Sequence, residues 1–394
     1  ILVFPERTLP WMPRRFEEID ADSLGAVAQE GGVQVLLLGC GRGALLPSRA
    51  LRGALRAHGV VVEPMDTGAA ARTYNVLMAE ERAVAAALLS GLGAPPPPRV
   101  LHVVGTNGKG TVTHLLAAMA QAAGERTGRF TSPHVEHLSE RVAVDGAPIG
   151  ASAVEAFVAR ARAMELPGIG FFEWTLALAV DAFHREGVTL AVVEAGVGAR
   201  RDATLALPGV VGTVLTNVDL DHVETLGPTL RHIARDKAAV ARPGVPLVTG
   251  AHGAALAEVR RAATAVGAPL YVVGPRSALA RWPVDAPTPD DDWPPTRLEN
   301  ARLALALGRL LGWSEDALAT GLRAPPPPAR FERFRLLRGG RAVSALLDGA
   351  HDPAAAARLA AAVPPGYVLV YGDLARRRSR ETLALYYRCF HVPS

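Results

Sequence analysis

Apolar positions along the chain form short continuous runs separated by stretches of helical spacing, and the rhythm changes near residue 90. Before it, Val33–Leu38 and Val60–Val62 read as strands, Pro47–His58 as a helix that Gly59 ends, and the Ala-rich Tyr74–Leu89 as a second helix. From Val100 onward strands and helices alternate. The strands are Val100–Val104, Leu190–Val193, Val210–Leu215, Leu247–Val248 and Leu270–Val273. The helices are Val112–Ala123, Ala153–Met164, Thr175–Glu186, Pro228–Ala241 and Ala254–Val266. Such alternation predicts an α/β fold with a mostly parallel sheet covered by helices.

Punctuation then divides the chain. Pro95–Pro98 is a stiff connector, because a proline run favours the extended polyproline conformation. Pro275–Thr296 is rich in Pro and Asp without periodicity and reads as a linker. Beyond it lie a helix over Leu298–Leu311, a second proline run at 325–328, strands at Val343–Leu347 and Tyr367–Tyr371, and a helix at Ala354–Ala362. The expected domains are therefore 1–90, a small α/β unit; 91–275, a larger central α/β unit; 276–297, the linker; and 298–394, a smaller α/β unit. A length of 394 residues fits this number of cores.

Composition narrows the class. The chain is 49% hydrophobic and 20% charged, which is globular rather than disordered. Its net charge of +4 is spread thinly, without the basic stripe and interleaved aromatics of a nucleic-acid binder; the dense cluster Arg376–Arg380 reads as a solvated helix start. Cys40 and Cys389 are far apart and have no metal spacing, so a reduced cytoplasmic setting is expected. No apolar run reaches membrane-spanning length, and the first residues lack the features of a signal peptide.

The chemistry gathers at Gly105-Thr106-Asn107-Gly108-Lys109-Gly110-Thr111. A strand precedes this stretch and a helix follows it, the context a phosphate loop requires. Glycines let the backbone turn and bring amide N–H groups onto phosphate oxygens, and the helix N-terminus adds positive potential. Lys109 can reach terminal phosphates, and Thr111 can sit beside a metal. The loop departs from Gly-x-x-x-x-Gly-Lys-Ser/Thr: fewer residues precede Gly-Lys, and Gly110 follows the lysine. Glu194 ends an apolar strand aimed at this loop, where Mg²⁺ would want a carboxylate. Arg330 carries a guanidinium suited to charge on a transferring phosphoryl group.

The loop resembles the signature of the Mur ligase superfamily, in the form used by folylpolyglutamate synthases and dihydrofolate synthases. Further segments resemble that family in order, from about residue 91 to about residue 375. They are Thr131-Ser132-Pro133-His134 with Glu140-Arg141, Phe171-Phe172-Glu173, Glu194–Thr204, Asp221-His222, Leu226-Gly227, Ile233–Ala238, Glu299-Asn300-Ala301, Arg330-Phe331-Glu332 and Asp348–Pro353. The resemblance implies a P-loop central domain and a Rossmann-like C-terminal domain. It implies ATP contacts at Thr106, Asn107, Gly108, Lys109, Gly110, Thr111, Asn300, Arg330 and Asp348; Mg²⁺ ligands at Ser132, Glu194, His222 and Lys237, the last as a carbamate; and a folate side at Phe172, Glu173 and Asp202. Lys109, Lys237 and His222 are the implied catalytic residues. His351 is as readily a structural histidine as a member of the site.

The implied reaction is ATP-dependent amide formation between a folate or dihydropteroate carboxylate and L-glutamate through an acyl phosphate. A monomer is expected, with no nucleic-acid or membrane partner. The alternatives are a Mur-type ligase acting on another acid and a catalytically impaired nucleotide-binding fusion. The Phe172-Glu173 segment and the Gly-Lys-Gly form of the loop favour folate over cell-wall substrates.

Residues 1–90 resemble instead a small domain related to a mitochondrial complex I assembly factor, of unsettled biochemical role. The stretch that carries this is Glu63–Leu77, including Asp66, Arg72 and Tyr74. That domain occupies the place of the ligases' pterin-side helical segment, and the C-terminal domain reads as truncated. Ala199, Leu205 and Asp352 stand where the ligases carry Gly, Asn and Asn; Ala199 is expected to strain a position that wants φ > 0.

Overall fold

The computed structural model describes residues 2–4, 8–9, 11–13, 16–30, 32–40, 45–65, 70, 73–74, 84–88, 99–163, 169–287, 293–338, 341–350, 353–363 and 370. Asp66, Arg72, Pro95–Pro98, His351, Asp352, the expected strand at 367–371 apart from residue 370, Arg376–Arg380 and Cys389 lie outside them.

The N-terminal unit is a five-stranded sheet of order β2-β1-β5-β3-β4. Its strands are β1 (Leu2–Val3), β2 (Thr8–Leu9), β3 (Val35–Gly39), β4 (Val61–Met65) and β5 (Val84–Leu88). Helices α1 (Gly25–Gln29) and α2 (Arg49–Ala57) accompany it. Ser48 caps α2 by accepting from the Leu51 N–H, and Leu51 and Leu55 turn inward onto Leu36 and Leu38. Pro64 is tolerated because β4 is an edge strand. The expected helix over Tyr74–Leu89 needs correction: Tyr74 is helical, but Val84–Leu88 is β5, paired with β1 on one side and β3 on the other. The run Val-Ala-Ala-Ala-Leu has no polar position to define a helical face, and pairing on both edges overrides alanine's helix propensity.

The central sheet has eight strands in the order β13-β12-β11-β6-β10-β7-β8-β9. Six run parallel: β6 (Val100–Val104), β7 (Thr127–Phe130), β10 (Leu190–Glu194), β11 (Val210–Leu215), β12 (Leu247–Thr249) and β13 (Leu270–Val272). β8 (Val142–Val144) and β9 (Ala147–Pro148) add an antiparallel edge. The connecting helices are α3 (Lys109–Ala122), α4 (Ala151–Ala163), α5 (Phe171–Arg185), α6 (Val223–Leu226), α7 (Leu230–Lys237) and α8 (Gly253–Val266). The expected helix over Pro228–Ala241 is thus shorter, giving way to a 3-10 turn at Ala238–Val240. One sheet face packs under α3, through Val112, Leu115, Leu116 and Met119; the other packs under α5, through Leu176, Leu178 and Phe183.

The expected domain boundary at 298 falls inside this core. Helices α9 (Pro295–Leu310) and α10 (Glu315–Leu322) give Leu303, Leu305, Leu307, Leu318 and Leu322 to the cluster that contains Met119 of α3. Gly321 lies so close to α3 that a Cβ there would stand 2.3 Å from the Met119 side chain. The stretch read as a linker also turns inward: Trp282 and Trp293 meet edge to face at 5.6 Å and pack on the same core. Pro and Asp content suggested a linker, but two partly buried indoles anchor it. A separate unit follows the second proline run. Its described part is an antiparallel hairpin of β14 (Glu332–Arg338) and β15 (Arg341–Leu347), followed by α11 (Pro353–Ala362).

Candidate functional site

β6 is buried at all five residues and delivers its C-terminal end into the loop at 105–108. Neighbouring chain holds that loop by hydrogen bonds. Thr216 Oγ1 donates to the Asn107 carbonyl (2.7 Å), and the Asn107 N–H donates to Asn217 Oδ1 (2.9 Å). The Asp219 N–H donates to Thr106 Oγ1 (3.0 Å). Two glycines are obligatory. At Gly105 (φ +153°) a Cβ would lie 1.8 Å from Thr216 Oγ1, and at Gly108 (φ +84°) it would lie 2.2 Å from Asn300 Oδ1. Asn300, carried on α9, therefore stands directly over the loop.

Lys109 is the first residue of α3, and no side chain caps that helix start. Its first N–H groups are left facing the loop, the arrangement that attracts anions. The Lys109 ammonium folds back and donates to the Gly105 and Thr106 carbonyls, both at 3.1 Å. Thr111 lies one turn in and is buried.

Glu194 ends β10, the strand beside β6, and is 3% exposed. Its Oε2 accepts from the Ser132 N–H at 3.3 Å and lies 3.4 Å from where a Gly110 Cβ would be. Burial pushes its carboxyl above the usual range, against the pull of Lys109, Arg330, the Ser132 N–H and Arg141. Lys237, at the end of α7, is 2% exposed and donates from Nζ to the Gly105 carbonyl at 2.9 Å. An ordinary exposed helix lysine is excluded. Burial and the nearby Lys109 charge push its ammonium down to about 7, partly offset by Asp221, Asp236 and Asp202. Near neutral pH much of it is the free amine, the form that captures CO₂.

His222 adopts a left-handed conformation (φ 48°) at the start of α6, with Nε2 3.5 Å from Asp221 Oδ2. Its side chain is 44% exposed, and the Asp221 charge beside it acts on Lys237. Among the described residues no three His, Cys, Asp or Glu side chains gather as a metal cage. Mg²⁺ ordinarily takes one or two carboxylates and completes its shell with water and phosphate oxygens. A buried carboxylate with one long hydrogen bond, facing a phosphate loop, fits that demand; it lacks the donors that would otherwise balance its charge.

The C-terminal unit reaches the same place. Arg330 sits between two non-glycine residues of positive φ, Ala329 (53°) and Phe331 (54°). Asp348 fixes this turn, accepting from the Phe331 and Ala350 N–H groups, both at 2.8 Å. Arg330 donates to the Ala329 carbonyl, and its charge acts on Glu194.

The expected folate side is more mixed. Phe172 packs edge to face on Phe130 (5.6 Å) and against Gly196, so half of it belongs to the core. Phe171 is 60% exposed, with the Arg141 guanidinium 5.1 Å above its ring. Glu173 is exposed at the start of α5. Asp202 closes the loop after β10: it accepts from Gly196 N (2.8 Å), Val197 N (3.1 Å) and Thr204 N (2.9 Å). The expected strain at Ala199 is absent. Gly198 carries the positive φ (70°), and the fully buried Ala199 donates its N–H to Asp236 Oδ1 (2.8 Å). Thr216, Asn217 and Asp219, which hold the phosphate loop, carried no signal of their own in the sequence, whereas Asp236 lay within the segment Ile233–Ala238.

Comparison with known proteins fits this geometry. Residues 1–89 match a family described as "Protein of unknown function (DUF498/DUF598)". A folylpolyglutamate synthase of Lacticaseibacillus casei is 31% identical over 303 residues, which cover 68% of this chain and 68% of that protein. The chain belongs to the folylpolyglutamate synthase/dihydrofolate synthase family. A probable bifunctional folylpolyglutamate synthase/dihydropteroate synthase of Haloferax volcanii is 39% identical over 300 residues, covering 69% of this chain. The chain spans about a third of the length of that protein (35%) and of its Halobacterium salinarum counterpart (36%). Among solved structures, E. coli FolC in complex with DHPP and ADP superimposes with a TM-score of 0.65 at 30% identity, covering 76% of this chain and 74% of that one. The mostly parallel central sheet is that family's fold.

Proposed function

We propose that this chain uses ATP to join the carboxylate of a folate or dihydropteroate to the amine of L-glutamate. The observation that carries the reading is the convergence on one loop of a buried carboxylate, Glu194, and a buried lysine, Lys237, whose ammonium is pushed down to about 7. A phosphate-binding turn that served only to hold a nucleotide would gain nothing from either.

In this reading a substrate carboxylate oxygen attacks the γ-phosphorus of ATP, the bond to the bridging oxygen breaks, and ADP leaves. The glutamate amine then attacks the acyl carbon and loses a proton, and phosphate departs with the C–O bond electrons. Thr106, Asn107, Gly108, Gly110 and Thr111 present the loop and helix start to the phosphates, while Asn300 and Asp348 shape the nucleotide side. Lys109 leaves its own loop carbonyls for phosphate oxygens, and Arg330 faces the charge that develops on transfer. Ser132, Glu194, His222 and carbamylated Lys237 are the residues we assign to Mg²⁺, which when bound supplies charge neutralisation and polarisation at the phosphoryl group. Phe172, Glu173 and Asp202 we assign to the folate side, with the exposed Phe171 ring beside them. We further propose a cytoplasmic setting and a monomer, in keeping with a buried free thiol at Cys40. Among the described residues no helix is long and apolar enough to cross a membrane.

The test gives purified protein ATP, Mg²⁺ and L-glutamate with dihydropteroate or tetrahydrofolate, and reads products by mass. A product heavier by one glutamyl unit, with one ADP per bond, is expected. Absence of glutamylation with both acceptors refutes the folate reading. ADP release dependent on another acid would instead favour a Mur-type ligase, and nucleotide binding without turnover an impaired fusion protein.

A further inference from the structure

One ion pair ties the C-terminal unit to the phosphate loop's own scaffold. Arg358, on α11, stands with its guanidinium 3.3 Å from Asp219 Oδ2. Asp219 is held by its backbone: its N–H donates to Thr106 Oγ1 (3.0 Å), and the same hydroxyl lies 3.3 Å from its carbonyl oxygen. The Asp219 side chain is 26% exposed and that of Arg358 33%. The carboxylate thus sits on a rigid base inside the site, loses little freedom on pairing, and is screened less than a surface charge. On the other side, α11 begins five residues after Asp348, whose carboxylate fixes the turn that carries Arg330. A shift of α11 therefore shifts Arg330.

We propose that Asp219 and Arg358 are positioning residues: their ion pair seats the C-terminal helix on the phosphate loop and so sets Arg330 opposite Glu194. The pair couples Thr106, which touches phosphate in the reading above, to the residue that meets the transferring group. The consequence rests on the ligase reading, whereas the docking does not. Neither residue touches the reacting atoms. Neutralising either acts on the transition state through Arg330, so kcat falls more than ATP affinity does.

The experiment compares the full chain with Asp219→Asn, Arg358→Gln, the double variant and Arg358→Lys. Two readouts are taken: steady-state kinetics in ATP, and hydrogen exchange of the backbone amides of residues 354–362 without nucleotide. Each single neutralisation is expected to lower kcat about tenfold with less than about a threefold change in KM for ATP, and to speed exchange in α11 about tenfold. The double variant should match the singles, because the second change removes nothing further. Arg358→Lys should recover most of both. The proposal is overturned if the single variants leave exchange in α11 unchanged, or if the double variant shows the product of two independent losses. Should the parent protein make no glutamylated product, the ligase reading falls, and the exchange cycle still decides the docking.

Discussion

Gly108→Ala tests the geometry of the loop directly. Gly108 holds φ +84°, where an L-residue pays about 1–2 kcal/mol. A second cost comes from above. The new Cβ would lie 2.2 Å from Oδ1 and 2.6 Å from Nδ2 of Asn300. Helix α9 cannot retreat, because Ala301 and Leu303 beside Asn300 are buried in the main core. The amide must therefore leave its rotamer, at about 0.5–1.5 kcal/mol. Together the two costs come to about 1.5–3.5 kcal/mol. At about 2–4 °C per kcal/mol for a domain of this size, the melting temperature should fall by about 3–14 °C. Affinity for a non-hydrolysable ATP analogue should fall about tenfold as Asn300 swings off the loop, measured by titration calorimetry. Adding Asn300→Ala should return the steric part and leave the left-handed cost alone. Melting within 1 °C of the parent, or a double variant no more stable than Gly108→Ala, refutes this account of the loop.

Glu194→Gln should act in opposite directions on stability and turnover. A carboxyl raised in the fold binds more protons folded than unfolded, so its charge costs stability as pH rises through that window and at all higher pH. At pH 7 the variant should melt higher than the parent without nucleotide, yet lose at least about a hundredfold in turnover; a lower melting point contradicts the burial argument. Lys237 has its folded ammonium depressed to about 7 from 10.5, so the stability it withholds is regained as pH rises between those values. Lys237→Met should stabilise the nucleotide-free protein at pH 6 by up to about 5 kcal/mol, less about 1 kcal/mol for the lost bond to Gly105, and abolish turnover; equal melting at pH 6 would count against it. His102 and His114 are buried neutral, pushed down to about 3 and about 4. Unfolded, both take protons near 6.5, so the melting temperature should fall as pH drops from 6.5 toward 4, and His102→Gln should flatten that slope, read by calorimetry across pH.

The sequence made the strands that carry the chemistry legible, because β6, β10 and β11 are apolar runs with a polar or glycine residue at the exit. β7 was hidden: Thr127-Gly128-Arg129-Phe130 is four residues long, with a glycine placed so that Phe183 can press on it. Its Arg129 is partly buried beside His114, where alternation would put an apolar side chain. β5 was hidden by its alanines. Within the site, Glu194 and the loop stood out by position, whereas the burial of Lys237 did not, since α7 reads Leu-Arg-His-Ile-Ala-Arg-Asp-Lys and is mostly polar. The groups that hold the loop were invisible for a different reason. Thr216, Asn217 and Asp219 lie 109 to 113 residues from their partners, and only the pairing of β11 beside β6 brings them there.

The irregular spacing of the loop has a physical reading once Glu194 is in place. The helix starts at Lys109, so Gly110 is its second residue and faces β10 rather than solvent. A bare Cβ at Gly110 would stand 3.4 Å from Glu194 Oε2, an ordinary contact, but any longer side chain would fill the space that the carboxylate and an incoming phosphate must share. The glycine is therefore required by occupancy; its φ is unremarkable among the loop's glycines, unlike those of Gly105 and Gly108. Glu194 in turn needs the uncapped helix start and the cations around it, Lys109 first and then Arg330 and Arg141, because it is 3% exposed and its hydrogen bond is 3.3 Å long. The extra glycine and the buried carboxylate each make the other tolerable. A loop that kept Lys109 but carried a larger residue at 110 would push Glu194 away from the loop and weaken its interaction with Lys109. That mutual requirement ties residues 84 positions apart in the chain into one site.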